Sequence, residues 1–347
     1  MNGEPEGRAG SLPVGATTRR VCGVRLAGTG MAVPDNIVTN DQVAKLVNTS
    51  DEWIAQRTGI KQRHLIDDNT PLRELGRDAL KTALENAHLA PSNLDQLICA
   101  TLTPDMICPN TAARIVADLG AVPAGAIDIN AACSGFVYGL NFASGLIQSG
   151  SYQTIGVIGA ETLSRIVDWT DRRTCVLFGD GAGAVVLTLS DDPDQGCLYQ
   201  TMSSDGNRWA NLYCPKTERD LPANDAIFSG TYDTLQMNGR EIYKFAVSTL
   251  QAAIEQVLDA CDLKTSDLKM IIPHQSNLRI LESASKRLGL SPGQMYINID
   301  RFANTSAASV GICLHELVTS QRIVRGDLIL MVALGGGLTW ATSLWRL

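Results

Sequence analysis

The chain has 347 residues, of which 45% are hydrophobic and 19% charged, and its formal net charge is −7. This length suits two domains or one large fused core, and the acidic balance argues against nucleic-acid binding, which needs a basic surface. No apolar run approaches the roughly 20 residues that a membrane-spanning helix needs.

The nine cysteines are scattered along the chain and form no C-x-x-C pair. Most of them lie in apolar runs, as is typical of buried free thiols. This usage favours a reducing cytoplasm and argues against a disulfide framework and a zinc site.

The first 20 residues, MNGEPEGRAGSLPVGATTRR, lack the apolar stretch of a secretory signal peptide. Gly, Pro, Arg and Glu dominate this segment, and such a composition buries little surface. We therefore expect residues 1–20 to form a disordered extension, and we assign it no function.

Helical and strand-like segments alternate after this extension. Residues 72–90 carry apolar side chains at a 3.6-residue period, which predicts an amphipathic helix ending near Pro91. LDQLICAT is typical of a buried strand, and the strand AIDIN leads to a helix start at Cys133. FGDGAGA (178–184) predicts a hairpin with Asp-Gly at its turn.

The second half of the chain repeats these features. A long amphipathic helix begins at REIYKF, and a Ser-Asp turn joins it to the strand KMIIP. The strand YINID is followed by a small-residue helix start at Asn304. LGGGLTW (334–340) predicts a tight glycine turn before a final strand.

These parallels indicate an α/β unit that is duplicated, in segments of about 21–190 and 195–347. Under this alignment Cys133 and Asn304 occupy equivalent places at the starts of two central helices, and His274 follows a strand of the second unit. Small residues in both helices permit close approach in a buried position. We expect the two helix starts and His274 to meet at one candidate site.

Cys133 has two interpretations on spacing alone. It is either a small buried side chain, the commoner role of such a cysteine, or a nucleophile. A helix start favours a thiolate through the helix dipole and free N–H groups, and a thiolate attacks a thioester readily.

His274 and Asn304 also have two interpretations each. His274 is either an ordinary loop histidine or a hydrogen-bond donor, and Asn304 is well suited to be an N-cap. A neutral histidine and an amide together donate two hydrogen bonds to a developing enolate oxygen, with no need for a metal. A backbone N–H of the glycine turn, with that of Cys133, suits an oxyanion hole.

Basic residues stand out against the acidic background. Arg279, Lys286 and Arg287 fall on one face of a predicted helix, and Lys244 lies on the preceding helix. This face is either ordinary solvated surface or a dock for an acidic partner next to His274.

Five segments together resemble the β-ketoacyl-acyl-carrier-protein synthase III family of the thiolase superfamily. They are TSDEWIAQRTGIKQRH, NAACSGF, PHQSNLRI, ANTSAAS and GGGLTW, in that order. The resemblance runs from about residue 22 to the C-terminus. It implies a duplicated thiolase-like α/β fold, layered α-β-α-β-α with two central buried helices.

The resemblance implies an acyltransferase that starts fatty-acid synthesis. Cys133 would take an acyl group from acyl-CoA, with the backbone N–H groups of Cys133 and Gly336 as the oxyanion hole. Malonyl-acyl carrier protein would then lose CO2, its enolate held by His274 and Asn304, and attack the acyl-cysteine. No cofactor or metal is implied.

The resemblance also assigns binding residues. Trp53, Arg57 and Arg172 match positions that hold CoA, and Asn277 matches one that orders the active site. A last set matches the carrier-protein dock: Lys244, Arg279 and Lys286. The family is dimeric, and we expect a cytoplasmic homodimer.

Cys108 stands where acetyl-primed relatives often carry a bulky aromatic residue at the acyl pocket, so we expect room for a longer or branched primer. Two alternative functions remain open. One is a related condensing enzyme or acyltransferase of secondary metabolism, and the other is a non-catalytic carrier-protein-binding module, which has no need for the cysteine.

Overall fold

Two β-sheets frame the part of the chain that the structure, a computed structural model, describes: residues 23–223 and 225–347. The predicted extension at 1–20 lies outside these residues. In chain order, the strands are β1 (Gly23–Ala32), β2 (Ile37–Thr39), β3 (Gln62–His64), β4 (Gln96–Ala100), β5 (Gly125–Ile129), β6 (Thr154–Thr162), β7 (Asp180–Ser190), β8 (Gly196–Ser204), β9 (Leu212–Tyr213), β10 (Gln236–Met237), β11 (Met270–Pro273), β12 (Leu328–Gly335) and β13 (Thr339–Arg346). The α-helices are α1 (Asn40–Val43), α2 (Asp51–Thr58), α3 (Leu72–Asn86), α4 (Thr111–Asp118), α5 (Gly135–Gln148), α6 (Gly239–Ala260), α7 (Leu278–Arg287), α8 (Ile299–Phe302) and α9 (Ala308–Thr319).

The two sheets have the same strand order. The first runs β1-β7-β6-β4-β5, with β4 parallel to both β5 and β6 and antiparallel pairs between β6, β7 and β1. The second runs β8-β13-β12-β11, with β11 parallel to β12 and antiparallel pairs elsewhere. A parallel bridge between Ile271 and Met295 stands where the first sheet has β5. The expected duplicated α/β architecture is confirmed.

The helices complete a layered arrangement. α5 and α9 lie between the two sheets, α3 and α4 cover the outer face of the first sheet, and α6 packs on the outer face of the second beside α7. The central core joins α5 and α9 to both sheets, through buried side chains such as Phe136, Leu140, Val310 and Leu314. Their burial provides the main stabilising free energy of this arrangement.

Small residues allow α9 to approach the first sheet closely. A Cβ atom on Gly183 of β7 would lie 2.5 Å from the backbone carbonyl carbon of Gly311 in α9. A Cβ on Gly159 of β6 would lie 2.3 Å from the carbonyl oxygen of Ala307. These contacts place the start of α9 directly against β6.

Two of the secondary-structure elements predicted from local sequence patterns differ in the structure. The predicted helix at 72–90 ends at Asn86, because His88 has a left-handed backbone with φ 56°. The hairpin predicted at 178–184 is wrong: Asp180 begins the buried strand β7. Its carboxylate accepts hydrogen bonds from the backbone N–H groups of Ser164 and Ile66, both at 2.9 Å. Asp180 therefore links the two segments that carry these N–H groups instead of forming a turn.

Among the residues described, no helix is both long and apolar enough to cross a membrane.

Candidate active site

Cys133 lies in a short 3₁₀ turn, Ala132–Ser134, between β5 and α5. Its side chain is buried, and only 8% of the residue is exposed. The preceding Ala132 has a left-handed backbone with φ 47°, which turns the chain sharply into the helix. The hydroxyl groups of Ser134 and Thr339 both donate to the carbonyl oxygen of Ala131, at 2.7 and 3.0 Å. The cysteine turn is therefore tied to the start of β13.

The glycine turn between β12 and β13 lies directly against this cysteine turn. A Cβ on Gly335 would be 2.8 Å from the backbone nitrogen of Cys133. Gly336 follows and lines the same cleft as Cys133. Thus the two backbone N–H groups expected to form an oxyanion hole come from segments in direct contact.

Burial changes the expected state of the Cys133 thiol. Loss of solvent raises the pKa of Cys133 to about 12, against the smaller opposing effect of a hydrogen bond with Ser306. Burial of the sulfur therefore favours the neutral thiol, contrary to the expectation that the helix start makes a thiolate at neutral pH. The thiol has to lose its proton during the reaction.

His274 follows β11 and is held at both ends. Its backbone N–H donates to the carbonyl oxygen of Val332 at 2.8 Å, and its Nδ1 lies 2.7 Å from the Ser309 hydroxyl oxygen. Burial lowers the pKa of His274 to about 3, so the imidazole is neutral at physiological pH. With Nδ1 engaged, Nε2 is the ring nitrogen that remains for a substrate.

Asn304 is fixed by backbone pairing and by its own side chain. Its N–H donates to the carbonyl oxygen of Leu177 at 3.0 Å, and its carbonyl oxygen accepts from Gly179 at 3.1 Å. Its Oδ1 accepts from the N–H of Ser306 at 2.9 Å, so the carboxamide presents Nδ2 as a donor. The N-cap of α9 is Ala307, and the prediction that Asn304 caps this helix is wrong.

The three polar residues line one cavity of about 250 Å³. Cys133, His274 and Asn304 form its inner end, and apolar side chains including Phe245 and Leu338 form its wall. A second, more open cleft of about 1150 Å³ also reaches Cys133, from the side of Ser306 and Gly336. Cys133 is thus accessible to two separate spaces.

Trp53, Arg57 and Arg172 line the outer part of the 250 Å³ cavity. The guanidinium carbons of Arg57 and Arg172 lie 5.3 and 4.8 Å from the centre of the Trp53 ring, within the range of a cation–π contact. Arg172 also donates to the carbonyl oxygen of Asn48 at 2.8 Å. The mouth of the cavity therefore combines an aromatic face with two exposed positive charges.

Asn277 and Arg279 connect α7 to α2, the helix that carries Trp53 and Arg57. The Asn277 side chain accepts from the N–H of Arg279 at 3.0 Å, capping α7, and donates to the carbonyl oxygen of Arg57 at 3.2 Å. Nε of Arg279 donates to the carbonyl oxygen of Gln56 at 2.9 Å. These contacts position the cavity mouth relative to the loop that bears His274.

Lys244 and Lys286 are both exposed, on α6 and α7 respectively. Lys244 forms an ion pair with Glu241 at 2.6 Å, and this neighbouring negative charge weakens the attraction of Lys244 for an acidic partner. Cys108 is exposed in the loop after β4 and is not among the residues that line the two spaces at Cys133.

Glu161 and Ser306 are residues of the site that the sequence analysis missed. Glu161 is completely buried at the end of β6, and Ser306 bridges it to Cys133. A single acidic residue inside the otherwise apolar run TIGVIGAET was the available signal. In the described part of the chain, no group of three or more His, Cys, Asp or Glu side chains is placed to hold a metal ion.

Two related halves with a cysteine at one central helix and a histidine and asparagine opposite define the class of thiolase-fold enzymes. Residues 127–206 match the family 3-oxoacyl-[acyl-carrier-protein (ACP)] synthase III, and residues 258–347 match the C-terminal family of the same enzymes.

Individual relatives agree over most of the chain. It is 47% identical over 318 residues to the β-ketoacyl-[acyl-carrier-protein] synthase III of Caldanaerobacter subterraneus subsp. tengcongensis, covering 92% of this chain and 96% of that one. The crystal structure of 3-oxoacyl-[acyl-carrier-protein] synthase III from Aquifex aeolicus VF5 superposes with a TM-score of 0.87 at 42% identity, covering 94% and 100% of the two chains. The priming β-ketosynthase of the R1128 polyketide pathway superposes with a TM-score of 0.86 at 31% identity, covering 94% and 97%. The chain belongs to the β-ketoacyl-acyl-carrier-protein synthase III family.

Proposed function

We propose that this enzyme condenses an acyl-CoA primer with malonyl-acyl carrier protein through an acyl-Cys133 intermediate, giving β-ketoacyl-acyl carrier protein, CoA and CO2. This is the first condensation of fatty-acid synthesis. The observation that carries the proposal is the shared cavity of Cys133, His274 and Asn304, whose mouth holds an aromatic ring and two arginines.

Acylation comes first. The Cys133 sulfur attacks the thioester carbonyl, and the backbone N–H groups of Cys133 and Gly336 stabilise the oxyanion that forms. CoA then leaves as its thiol. The close contact between the cysteine turn and the glycine turn supports this arrangement.

Condensation uses the opposite side of the cavity. The Ser309 hydroxyl donates to the carbonyl oxygen of Ser306 at 2.9 Å; when it turns to donate to Nδ1 of His274 instead, Nε2 carries the ring proton. Nδ2 of Asn304 supplies a second donor. Both hydrogen bonds strengthen as charge develops on the malonyl thioester oxygen during loss of CO2. The resulting carbanion attacks the acyl-Cys133 carbonyl and releases the cysteine sulfur.

Trp53, Arg57 and Arg172 are proposed to bind the nucleotide end of CoA. The indole suits stacking with adenine, and the guanidinium groups suit its phosphates. The apolar wall between this mouth and Cys133 suits the pantetheine arm. Asn277 holds α7 against α2 and so supports the same region.

Lys244, Arg279 and Lys286 are proposed to dock the acidic carrier protein. Arg279 and Lys286 share α7, which begins four residues after His274, and their exposure suits contact with a negatively charged partner. The ion pair with Glu241 makes Lys244 the weakest of the three.

The proposed assembly is a homodimer. β5 is an edge strand, its Ile127 is 47% exposed, and Phe142 of α5 is 44% exposed. Edge strands and exposed apolar side chains favour association of two copies. Because Cys108 is exposed, it contributes to a primer pocket only if the dimer brings it to the partner's cleft; we propose this role and a cytoplasmic location.

A priming condensation in a polyketide pathway is the second candidate, favoured by the similarity to the R1128 priming β-ketosynthase. Both candidates are tested by incubating the enzyme with straight and branched acyl-CoAs and malonyl-acyl carrier protein, and weighing the carrier protein by mass spectrometry. A β-ketoacyl-carrier protein is expected. Strict acetyl preference would contradict the proposed role of Cys108, and absence of product with every primer would contradict the function.

A further inference from the structure

A buried carboxylate lies one hydroxyl group away from the nucleophile. The Glu161 side chain accepts hydrogen bonds from Thr103 Oγ1 at 2.7 Å, Thr101 Oγ1 at 3.3 Å, and the N–H of Leu102 at 3.2 Å. None of the ion pairs in the described residues involves Glu161. A carboxylate buried without a cation lowers stability even when it is hydrogen-bonded, which points to a functional role for Glu161.

Ser306 connects this carboxylate to the site. Its hydroxyl donates to Oε1 of Glu161 at 3.1 Å. Ser306 and Cys133 line the same cleft, and interaction with the Ser306 hydroxyl lowers the pKa of the Cys133 thiol. The left-handed backbone of Ser306, with φ 49°, and the bond from its N–H to Asn304 fix the hydroxyl in this place. The Ser306 hydroxyl therefore lies between the Cys133 thiol and the Glu161 carboxylate.

The hydroxyl has one proton, so these three groups have two arrangements. In the first, the Cys133 thiol donates to Ser306, and Ser306 donates to an ionised Glu161. In the second, Glu161 carries the proton and donates to Ser306, which donates to a Cys133 thiolate. Moving one proton along each hydrogen bond converts one arrangement into the other, and the buried site never holds two negative charges.

The alternative proton acceptor is His274, and the two can be compared. Burial lowers the pKa of His274 to about 3, whereas burial raises the pKa of Glu161 to about 7. A carboxylate with a pKa near neutrality is the stronger base at neutral pH, and catalytic bases work best when their pKa is near the operating pH.

We propose that Ser306 and Glu161 form a proton relay that takes the proton of Cys133 during acylation and returns it to the departing CoA. The proposal rests on the proposed acylation of Cys133 and adds its acid–base step. The S–H bond of Cys133 breaks as its sulfur bonds the acyl carbon, and the proton passes through Ser306 to Glu161. The bond from the acyl carbon to the CoA sulfur then breaks, and the proton returns through Ser306 to give CoA thiol.

The neighbours of Glu161 set its pH dependence. Cys133 faces it through Ser306, Cys99 of β4 interacts with its charge, and Asp180 of β7 lies across from the adjacent Thr162. Burial raises the pKa of both thiols far above neutrality, so neither loses its proton there. Acylation should fall as pH drops through about 7, where Glu161 gains a proton and stops being an acceptor.

The test is a single-turnover measurement of Cys133 acylation by acyl-CoA between pH 5.5 and 9, followed by CoA release. For Glu161→Gln we expect acylation at neutral pH to fall roughly 100-fold, the size of a typical general-base contribution. Its rate should then rise continuously with pH, with no inflexion near 7. Glu161→Asp keeps an acid and should retain an inflexion at reduced rate, and Ser306→Ala should behave like Glu161→Gln.

Asp180→Asn is the matched control, because it neutralises a buried carboxylate that has no contact with Ser306 or Cys133 in the hydrogen bonds above. It should retain the inflexion near pH 7, whatever its effect on thermal unfolding. Alkylation of Cys133 by iodoacetamide over the same pH range provides a second readout that needs no substrate.

An inflexion that persists in Glu161→Gln would overturn the relay, as would equal rate losses in Glu161→Gln and Glu161→Asp with unchanged pH profiles. Failure of the unaltered enzyme to acylate with any primer would instead contradict the proposed function, and iodoacetamide would still test the relay.

Discussion

Ala132 and Ala303 both have left-handed backbones, with φ 47° and 58°, and each directly precedes a residue of the site, Cys133 or Asn304. The two positions where the halves meet therefore share a positive φ. Side chains other than glycine rarely adopt this conformation, and holding one there costs about 1–3 kcal/mol. Alanine is small enough to fit such a turn within a buried site.

This relationship predicts the effect of two changes at residue 132. Ala132→Val should lower the free energy of unfolding by about 1–3 kcal/mol and slow Cys133 acylation, because a β-branched residue strongly disfavours positive φ. The free energy of unfolding of Ala132→Gly should lie within about 1 kcal/mol of that of the unaltered enzyme. Urea denaturation and acylation rates measure both, and equal stability of the two variants would show that the turn is not strained.

The contact between Gly183 and Gly311 predicts a large loss of stability on a small change. A Cβ on Gly311 would lie 2.9 Å from backbone atoms of Gly183, where neither backbone can move freely. Gly311→Ala should therefore destabilise the enzyme by about 1–3 kcal/mol, as overpacking does.

The control for this change is Gly145→Ala in α5, where a new Cβ meets no atom within 4 Å. Alanine should there stabilise the helix by about 0.4–1 kcal/mol, because it restricts the unfolded chain. Thermal unfolding compares the two variants, and a stabilised Gly311→Ala would contradict the packing of α9 on β7.

Removal of His274 or Asn304 should separate the two half-reactions. His274→Ala and Asn304→Ala should lower decarboxylation of malonyl-acyl carrier protein by roughly 100- to 1000-fold, the effect of losing one oxyanion donor. Acylation of Cys133 should be affected much less. Release of CO2 and CoA, measured in parallel, gives both rates, and equal losses in both would contradict the assignment of these residues to condensation.

The pH profile of decarboxylation tests the state of His274. Its pKa is lowered to about 3, so the neutral form persists throughout pH 5–9 and is lost only as pH falls towards 3. No histidine inflexion is expected near pH 6.5. A decline in decarboxylation below that pH, absent from His274→Ala, would indicate that the ring becomes charged.

Arg172 should act on the nucleotide of CoA alone. Arg172→Ala should raise the KM for acyl-CoA roughly tenfold, corresponding to about 1.4 kcal/mol of a cation–π and phosphate contact. The same variant should use acyl-pantetheine, which has no nucleotide, as well as the unaltered enzyme does. An equal rise in KM for both substrates would place the role of Arg172 elsewhere.

The carrier-protein dock is tested by charge reversal on α7. Lys286→Glu should raise the KM for malonyl-acyl carrier protein roughly tenfold and leave acylation by acyl-CoA unaltered, because like charges repel the partner. Lys81→Glu, on the distant helix α3, is the control. Arg279→Glu should affect both steps if its bond to Gln56 also supports the CoA mouth. If Lys286→Glu and Lys81→Glu had the same KM for malonyl-acyl carrier protein, the proposed dock on α7 would be contradicted.

The sequence predicted the features that depend on local periodicity. The apolar face of α3, the strand before His274 and the glycine turn at 336–338 all follow from patterns that the structure reproduces. The strand order of the two sheets agrees with the internal repeat.

Features that depend on distant partners could not be predicted. Asp180 looked like a turn residue, yet bonds from Ser164 and Ile66 allow its burial. Asn304 looked like a helix cap, yet its carboxamide is held by Ser306 after a left-handed turn. Glu161 drew no attention, because its partners Thr101, Thr103 and Ser306 come from other segments of the chain.

In the proposed reaction, Cys133 carries the acyl group between acyl-CoA and malonyl-acyl carrier protein. Intact-mass and peptide mass spectrometry after addition of acyl-CoA should find one acyl group per chain, on Cys133, which disappears when malonyl-acyl carrier protein is added. Cys133→Ala should carry none, and Cys261→Ala, altered at a half-buried thiol outside both spaces at the site, should behave like the unaltered enzyme. Condensation by Cys133→Ala at the unaltered rate, or an acyl group on another residue, would contradict the account.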